Sequence, residues 1–404
     1  MQSFFECEMA PVDPILSLSV AFKLDTHPSK VDLGVGAYRD GNGLPYVFTP
    51  VRQAQAEIAA DPNDNHEYSL IDGHSGLKMA TLRVLLGEKL AKEHSSRIVS
   101  SQAISGTGAL RLASEFLFSC HGPRIAYVSD PTWSNHRTIF DRAHFESVEA
   151  YPYWDSANKC LNMSGWLRAL ESAPRGSVIV LHACAHNPTG CDPTPSQWKS
   201  VVEVIVRRGL LALADSAYQG YASGDLDADA FLIHELLQAG AEFIVTQSFA
   251  KNMGLYGERF GMIHIVTKSS SVAECALSQL KTVIRPMYSS PPIYGAKIAL
   301  RVLTTPLLYT EWLDELKAVS GRVATMRTAL AKGLALAAPS VSWEHIGTQI
   351  GMFSYTGLTP QQVDRMTQVW HIYMLRNGRI SLAGLNEKNL HYVIDAIVDC
   401  HNVA

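Results

Sequence analysis

The sequence FIVTQ at residues 243–247 runs directly into SFAKN at residues 248–252, so a lysine closely follows an apolar, strand-like segment. A lysine such as Lys251, leaving the C-terminal end of a buried strand, can lose its water, shift its pKa and become a nucleophilic amine. Eight residues later, Arg259 offers a fixed cation that suits a phosphate group. Taken alone, this pair is more typical of a solvated loop lysine and a surface arginine. The interpretation therefore depends on what the neighbouring strands carry at their ends.

The region around this stretch alternates short apolar runs, polar or glycine-bearing turns and amphipathic segments. This rhythm predicts an α/β fold with a largely parallel central sheet. The predicted strands are residues 99–104, 125–128, 178–182, 210–214 and 243–247. In such sheets, ligands gather beyond the carboxyl ends of the strands. We therefore expect a site where these strands end.

Other segments predict a long helix and a second, smaller domain. Apolar residues recur every three or four positions in one stripe, which is typical of a helix packed on a core: Trp312, Leu316, Val319, Val323, Met326, Leu330 and Leu334. After Pro339 the pattern changes to shorter strands and a helix over residues 359–373. Pro11, Pro14 and the glycine-rich residues 34–43 predict a mostly extended N-terminal segment that lies against another surface.

Composition excludes several classes of function. The 404 residues are 47% hydrophobic, as in ordinary globular proteins, and a net charge of −4 gives no basic field for nucleic acid or an anionic membrane. The seven cysteines form no C-x-x-C pair and fit reduced thiols inside a cell. The first ten residues hold Glu6 and Glu8 but no Lys or Arg, which argues against a secretory or transit peptide. We expect a cytoplasmic protein that binds neither nucleic acid nor membrane.

Candidate ligand groups follow the first three predicted strands. SGTGAL at residues 105–110 opens a helical pattern, so its N–H groups and hydroxyls can hold a phosphate, although an ordinary helix cap gives the same pattern. Trp133 follows the second strand and offers a flat ring for stacking, or else a core side chain. HNPTG at residues 186–190 can direct the amide of Asn187 inward, or form a structural Asx-turn.

The fourth strand leads into Asp215, with Tyr218 three residues beyond. A carboxylate after such an apolar run is costly to bury unless a cation or strong donor meets it, although it can also cap the next turn. A phosphate cup, an aromatic plate, a carboxylate and an amine together suit pyridoxal phosphate. A nicotinamide cofactor leaves the lysine unexplained. A metal site needs a tighter cluster of His, Cys or carboxylates, so we expect no metal.

Six motifs, in order along the chain, resemble those of the aspartate aminotransferases, class I aminotransferases that depend on pyridoxal 5'-phosphate. The motifs are NHEY at 65–68, SGTGAL at 105–110, PTW at 131–133, HACAHNPTG at 182–190, DSAYQG at 215–220 and residues 248–259. The resemblance extends from MAP at residues 9–11 to Leu390. It implies the type I fold of pyridoxal-phosphate-dependent transferases, with a large domain on a mostly parallel sheet flanked by helices, and a smaller α/β domain.

The resemblance also implies a domain arrangement and a partner. Residues 1–12 would form an N-terminal arm that packs on the other subunit of a homodimer. Residues 13–45 and 315–404 would form the small domain, and residues 46–314 the large, cofactor-binding domain. The active sites would be shared between the two subunits.

Carried over position by position, the resemblance gives roles to the candidate residues. Lys251 would hold the cofactor covalently and act as the base, and Asp215 would keep the pyridine nitrogen protonated. Asn187 and Tyr218 would hydrogen-bond the phenolic oxygen of the ring, and Trp133 would stack on it. The phosphate would be held by Ser105, Gly106, Thr107, Ser248 and Arg259, with Tyr68 from the second subunit.

Two arginines match positions that bind substrate carboxylates in the family, where the planar guanidinium forms paired charge-assisted bonds. Arg379 would bind the α-carboxylate, and Arg285 would reach from the second subunit to a side-chain carboxylate. The other residues of the substrate pocket would be Gly36, Trp133, Asn187, Ser290 and Phe353.

Three positions depart from the strict aspartate pattern. Ser290 stands where such enzymes usually carry asparagine, and Leu44 is an apolar residue at the pocket edge. Both resemble the broad-specificity aspartate and aromatic relatives. Arg376 replaces a common proline, which affects the local loop shape.

These roles imply reversible transfer of the amino group from L-aspartate to 2-oxoglutarate, giving oxaloacetate and L-glutamate by a ping-pong mechanism. A broad-specificity or aromatic aminotransferase, or a β-lyase on the same scaffold, is the nearest alternative. A non-catalytic binding protein that keeps the fold is the alternative from a different class.

Overall fold

A seven-stranded sheet lies at the centre of residues 4–402, the part of the chain that this computed structural model describes. The strands are β1 Val31–Asp32, β2 Ile98–Ile104, β3 Ile125–Asp130, β4 Ser147–Pro152, β5 Trp154–Asp155, β6 Cys160–Leu161, β7 Val178–His182, β8 Leu211–Ser216, β9 Phe243–Ser248, β10 Phe260–Val266, β11 Phe353–Tyr355, β12 Ile372–Tyr373 and β13 Arg379–Ser381. The helices are α1 Pro14–Leu24, α2 Thr49–Ala60, α3 Leu77–His94, α4 Ser105–His121, α5 Asn135–Asp141, α6 Met163–Ser172, α7 Pro195–Arg208, α8 Leu226–Asp229, α9 Phe231–Gln238, α10 Ser270–Met287, α11 Tyr294–Thr304, α12 Pro306–Ala337, α13 Glu344–Thr348, α14 Pro360–Gln368 and α15 Leu390–Asn402.

The central sheet is mostly parallel, as the sequence predicts. Its order is β2-β10-β9-β8-β7-β3-β4, and within this sheet only β10 runs antiparallel to its neighbours. The five predicted strands are all present, each within two residues of its predicted ends. Sequence analysis did not identify β4 or β10. The predicted α/β class is therefore confirmed.

Helices cover both faces of the sheet because successive side chains of a buried strand point to opposite sides. In β7, Val178 and Val180 belong to the core cluster that includes α4 and α10. Ile179 and Leu181 belong to the cluster formed with α6, α7 and α9. Every residue of β7 and β9 is buried. The packed core therefore fixes the position of the polar groups that follow these strands at the carboxyl edge of the sheet.

The helix predicted from apolar periodicity is α12, which spans 32 residues. All seven residues of the predicted stripe are buried. They share a core with Ile394 and Ile397 of α15. The stripe is therefore core, as expected, and joins the long helix to the C-terminal part of the chain.

The prediction of an extended N-terminal segment was wrong for residues 14–24, which form α1. The carboxylate of Asp13 caps this helix by accepting from the N–H groups of Ile15 and Leu16. A proline in the first turn does not interrupt a helix, so the proline signal was misread. Residues 4–12, in the predicted arm, lie exposed, and residues 1–3 lie outside the described range.

The helix predicted over residues 359–373 was too long. The segment forms α14 and, after it, β12. Thr359 and Gln362 form a capping box that begins the helix. His371 adopts a positive φ of 52°, which reverses the chain before β12 pairs with β1. The N-terminal and C-terminal parts of the chain therefore pack together, and Ser381 N–H also donates to Leu33 O at 2.7 Å.

Among the described residues, none of the helices combines the length and the apolarity that crossing a membrane requires. The longest, α12, has one buried stripe, and its exposed positions include many charged and polar side chains.

Candidate active site

A cavity opens where β2, β7, β8 and β9 end, the edge of the sheet predicted for the site. Ten of the eleven residues predicted to hold the cofactor line it: Ser105, Gly106, Thr107, Trp133, Asn187, Asp215, Tyr218, Ser248, Lys251 and Arg259. Leu110, His182 and Ala217 also line it. The structure thus brings together residues that are far apart in the sequence.

The N-terminus of α4 faces this cavity. Ser105 starts the helix with a positive φ of 58°, and within the described range no side chain caps the first turn. Ser105 Oγ and Ser248 Oγ lie 3.3 Å apart, and a Cβ on Gly106 would approach Ser248 Cβ to 3.2 Å. Uncapped N–H groups at the positive end of a helix dipole, two hydroxyls and the nearby Arg259 cation suit a phosphate.

Gly261, which sequence analysis missed, makes this arrangement possible. A Cβ at Gly261 would lie 2.7 Å from the carbonyl carbon of Ser105, so the backbone can approach this closely only at a glycine. Because β10 is antiparallel, its first residues lie at the edge where the other strands end. Arg259, directly before β10, therefore reaches the cavity, where its Nη1 donates to Tyr256 O at 2.9 Å.

Asp215 lies in β8, one residue before its end, and only 8% of it is exposed. Its Oδ2 accepts from His136 Nε2 at 3.1 Å, and its Oδ1 accepts from Thr246 Oγ1 at 3.0 Å. Burial raises the pKa of this carboxyl, but the hydrogen bonds from His136 and Thr246 and the neighbouring imidazoles outweigh burial, so the pKa is lowered. The buried carboxylate therefore keeps its negative charge.

A series of hydrogen bonds connects Asn187 with Asp215. Asn187 N–H donates to His182 Nδ1 at 3.3 Å. Burial holds the pKa of His182 well below its usual value, so the ring is neutral and Nε2–H donates to Thr132 Oγ1 at 3.2 Å. Thr132 Oγ1 also lies 2.8 Å from His136 Nδ1, and the N–H at His136 Nε2 donates to Asp215. Sequence analysis missed His136 and His182, because nothing in their local sequence indicates these hydrogen bonds.

Lys251 lies in the turn after β9, three residues beyond the strand. Burial lowers its pKa from 10.5 to about 8, helped by the charges of Arg259 and Arg379 and opposed by Asp215. Its Nζ lies 5.7 Å from the centroid of the Tyr218 ring and 6.0 Å from that of Tyr256. A primary amine in this environment is a nucleophile and a base near neutral pH.

Arg379 begins β13 and is buried beside the cavity. Its Nη1 donates to Asn187 Oδ1 at 3.2 Å and its Nη2 to Gly34 O at 2.6 Å. Its Nε has no hydrogen-bond partner among the described residues. Burial lowers the pKa of Arg379 from 12.5 to about 10. A buried guanidinium with a donor to spare suits an incoming carboxylate.

Phe353 and Gly36 form the wall beside Arg379. The Arg379 guanidinium carbon lies 4.1 Å from the centroid of the Phe353 ring, which also meets the ring of Tyr218 edge to face at 6.0 Å. A Cβ at Gly36 would come within 3.0 Å of Phe353 Cζ. The structure therefore brings Phe353 and Gly36 together beside Arg379.

Besides Gly36, Phe353 and Arg379, which lie together beside the cavity, three predicted site residues do not line it. Tyr68 is 85% exposed and lines a different cavity, together with Asn65 and Lys297. Arg285 lies near the end of α10, where its Nη1 donates to Ser289 Oγ. Ser290 follows in the same loop. Within one described chain, these residues do not join Lys251.

Leu44, assigned to the pocket edge, is 59% exposed and does not line the cavity that holds Lys251. Arg376 forms a surface ion pair with Asp364, with Nη2 and Oδ2 2.7 Å apart. The position usually occupied by proline therefore carries a side chain that ties the loop before β13 to α14.

The groups around the cavity fit pyridoxal phosphate. An uncapped helix start with a nearby arginine suits the phosphate, the charged Asp215 suits a protonated ring nitrogen, and the amine of Lys251 suits the aldehyde. Within residues 4–402, no group of three or more His, Cys, Asp or Glu side chains is arranged to hold a metal ion.

Comparison with known proteins places this site in a family. The family described as aminotransferase class I and II matches residues 28–397. The mitochondrial aspartate aminotransferase of Dictyostelium discoideum is 46% identical over 390 residues, covering 96% of this chain and 91% of that protein.

Two solved structures have the same fold as this chain. The cytoplasmic aspartate aminotransferase of Saccharomyces cerevisiae superposes with a TM-score of 0.96 at 40% identity, covering 99% of each chain. The aromatic-amino-acid aminotransferase of Burkholderia pseudomallei, covalently bound to pyridoxal phosphate, gives a TM-score of 0.95 at 41% identity, covering 99% of this chain and 100% of that one. The chain thus has the fold of pyridoxal-phosphate-dependent aminotransferases, and it belongs to the aminotransferase class I and II family.

Proposed function

We propose that this protein is an aspartate aminotransferase, which reversibly transfers the amino group of L-aspartate to 2-oxoglutarate and yields oxaloacetate and L-glutamate. The observation that carries this proposal is the meeting of Lys251, Asp215 and Asn187 in one cavity, with Arg379 bonded to Asn187 at 3.2 Å. A binding protein does not need this combination of amine, carboxylate and carboxylate-binding arginine, and a β-lyase on the same scaffold differs from an aminotransferase in its products. The similarity to aspartate aminotransferases over nearly the whole chain supports the same reaction.

Pyridoxal 5'-phosphate is the proposed cofactor, and it supplies an aldehyde that carries the amino group between the two substrates in a ping-pong exchange, with a ring that draws electrons from the reacting carbon. Lys251 would hold it covalently, and Asp215 would pair with its ring nitrogen. Asn187 and Tyr218 would bind its phenolic oxygen, and Trp133 would lie against its ring. Its phosphate would be held by Ser105, Gly106, Thr107, Ser248 and Arg259.

The mechanism assigns a proton or a charge to each of three side chains. Lys251 Nζ, with a pKa of about 8, takes the proton from the substrate Cα and later returns one. Asp215 remains ionised because His136 and Thr246 donate to it, so a negative charge faces the cavity throughout. Arg379 fixes the α-carboxylate and thereby turns the Cα–H bond of the substrate toward Lys251.

A homodimer with shared active sites is part of this proposal. Tyr68, Arg285 and Ser290 lie away from the cavity of their own chain and are available to a second copy. Tyr68 would contact the phosphate and Arg285 the side-chain carboxylate of a substrate bound in the other subunit. Residues 1–12 would pack on that subunit, which agrees with the exposure of Met9 and Val12 in the single chain.

The same proposal divides each chain into two domains and places it in the cytoplasm. Residues 46–314 form the large domain, and residues 13–45 with 315–404 form the small one, in agreement with the pairing of β1 with β12. A cytoplasmic location is supported by the likeness to the cytoplasmic aspartate aminotransferase of yeast.

A second candidate is a broader specificity that includes aromatic amino acids. Ser290 and Leu44 support it, and so does the likeness to an aromatic-amino-acid aminotransferase, whose identity to this chain matches that of the aspartate enzyme from yeast. Arg285 is proposed to bind the side-chain carboxylate, so its loss should matter only for a dicarboxylic substrate. Arg285→Ala should therefore lower kcat/KM for aspartate by about 10- to 100-fold, the value of one charge-assisted hydrogen bond, and leave phenylalanine nearly unaffected.

Hybrid dimers test the shared site directly. A hybrid of one Lys251→Ala subunit and one Arg285→Ala subunit has one site with an intact Lys251 and an Arg285 supplied by its neighbour. We expect about half of the wild-type activity on aspartate from such a hybrid, since one of two sites is complete. Activity no higher than that of the Arg285→Ala homodimer would show that Arg285 does not act across the interface. Ammonia release without a 2-oxo acid acceptor would instead identify a lyase.

A further inference from the structure

Arg327, in the middle of α12, is a buried cation that the proposed reaction does not use. Only 4% of the residue is exposed. Its guanidinium donates to three main-chain carbonyls: Nη2 to Gly351 O at 2.7 Å and to Phe353 O at 2.9 Å, and Nη1 to Ile346 O at 3.3 Å. One side chain therefore fixes both ends of residues 346–353. Burying a charge without function in this way is costly.

Residues 346–353 form the link between the Asn187 turn and Arg379. Ile350 N–H donates to Gly190 O at 2.7 Å. The approach is close, because a Cβ on Gly190 would lie 2.8 Å from Phe353 O and one on Gly351 would lie 2.4 Å from Ala185 Cβ. On the other side, Leu382 N–H donates to Met352 O at 2.8 Å, next to β13.

The same segment positions the Phe353 ring. Arg327 binds the carbonyl of Phe353, and the ring of that residue lies 4.1 Å from the guanidinium carbon of Arg379. The ring therefore limits where the Arg379 guanidinium can lie, and Gly36 lies against the tip of the ring, at Phe353 Cζ. A shift of the 346–353 backbone would move both the ring and the carboxylate-binding donors.

An acidic residue holds the opposite side of this contact. Asp192 accepts from Ala185 N–H at 2.5 Å and from His186 N–H at 2.8 Å, directly before Asn187. Asp192 thus fixes the turn that carries Asn187, while Arg327 fixes the segment that carries Phe353. The two segments meet through the hydrogen bond from Ile350 to Gly190, so an ionisable side chain of each sign, Asp192 and Arg327, holds one half of the contact.

We propose that Arg327 is a positioning residue for substrate binding: its three carbonyl contacts hold residues 346–353 so that Phe353 orients the Arg379 guanidinium toward the α-carboxylate. The inference rests on the proposed function, since it concerns the same carboxylate site. It adds a residue that touches neither substrate nor cofactor. A lysine at position 327 keeps the charge, but it cannot span three carbonyls as the planar fork does.

The test uses the cofactor-loaded protein and 3-phenylpropionate, a monocarboxylate that has no amino group to transfer. Calorimetry gives its dissociation constant, and steady-state rates give KM and kcat for aspartate and for phenylalanine. We expect Arg327→Lys to weaken binding of 3-phenylpropionate by about tenfold, because small displacements of a positioning group have effects of this size. KM should rise by a similar factor for both amino acids, with kcat within about threefold of wild type.

Arg322→Lys is the matched control. Arg322 lies on the same helix and donates to the carbonyls of Leu385, Arg39 and Ala383, but it does not contact residues 346–353. We expect it to leave the affinity for 3-phenylpropionate within about twofold of wild type. Equal losses in the two lysine variants would reduce the effect of Arg327 to general loosening and overturn the proposal.

Two further variants separate the possible failures. Arg379→Ala must weaken binding of the monocarboxylate, and if it does not, the proposed carboxylate site itself is wrong. If Arg379→Ala weakens binding while Arg327→Lys binds as wild type does, the positioning role is wrong and the site stands. Should Arg327→Lys fail to fold, Phe353→Leu decides the question. If Phe353→Leu binds 3-phenylpropionate as tightly as wild type does, the Phe353 ring does not orient Arg379, and the proposal is overturned.

Discussion

We expect the amine of Lys251 to react with aldehydes at neutral pH, where an ordinary exposed lysine hardly reacts. Burial is the main cause that lowers its pKa from 10.5 to about 8. At pH 7.5 the neutral fraction, 1/(1 + 10^(pKa − pH)), is about one quarter for a pKa of 8 and about one thousandth for a pKa of 10.5. Lys251 should therefore carry roughly 240 times more reactive amine than an unperturbed lysine at this pH.

The assay labels the cofactor-free protein with a small aldehyde and cyanoborohydride at pH values from 6 to 11, followed by peptide mapping. The label at position 251 should reach half of its maximal rate near pH 8, and the other lysine peptides in the same digest serve as an internal reference. Lys251→Met should lack only this label. A profile at position 251 that rises only above pH 10 would refute the argument from burial.

The same pKa predicts how stability depends on pH. Between pH 8 and 10.5 the folded state binds fewer protons at Lys251 than the unfolded state, so the free energy of unfolding contributed by this group rises with pH across that window. Below pH 8 the buried charge costs up to about 3.5 kcal/mol, from 2.5 pH units at about 1.4 kcal/mol each. The cofactor-free Lys251→Met variant should therefore be more stable than wild type in urea at pH 7, and a less stable variant would contradict the reasoning.

Two further results are expected. Asp215→Asn removes the charge but keeps the shape, so the protein should stay folded while kcat/KM for aspartate falls by about 100-fold or more, and a loss of less than tenfold would argue against an electrostatic role. For His264, buried between Ser100 and Gln247, burial lowers the pKa to about 3. The contribution of the neutral ring to stability is therefore complete above pH 6.5 and is lost as the pH falls toward 3. Between pH 7.5 and 4.5, the free energy of unfolding measured in urea should fall by up to about 3 kcal/mol less in His264→Gln than in wild type.

Much of the sheet could be predicted because its strands are buried on both faces. Such strands appear as continuous apolar runs, and β7 matches its predicted bounds. β10 was missed although all seven of its residues are buried. It contains Gly261, whose importance depends on the contact with Ser105, and a glycine in an apolar run weakens the strand signal. The error at residues 14–24 had a local cause, since prolines interrupt helices only beyond the first turn.

The candidate site also contains residues that could be predicted from the sequence and residues that could not. Lys251, Asp215 and Asn187 could be identified because each lies at or just beyond the end of a buried strand, and parallel strands end at one edge. His136 and Thr246 could not, since their contacts with Asp215 come from residues 79 and 31 positions away in the sequence. The order of hydrogen bonds from Asn187 to Asp215 also depends on burial, which no short motif encodes. The predicted roles of Tyr68, Arg285 and Ser290 depend on a second copy of the chain, and the hybrid dimers described above test the role of Arg285.

The antiparallel direction of β10 has a consequence for engineering this protein. Lys251 and Arg259, the lysine and arginine proposed to hold the cofactor, lie on one connection between β9 and β10, and the pairing of Ser248 with Gly261 fixes the two ends of that connection. Added or deleted residues in that connection would displace both groups at once and could not be absorbed by a flexible loop. Diversified libraries, permuted termini and inserted reporters therefore belong elsewhere in the chain, for example in the exposed hairpin turn at Ala157 and Asn158.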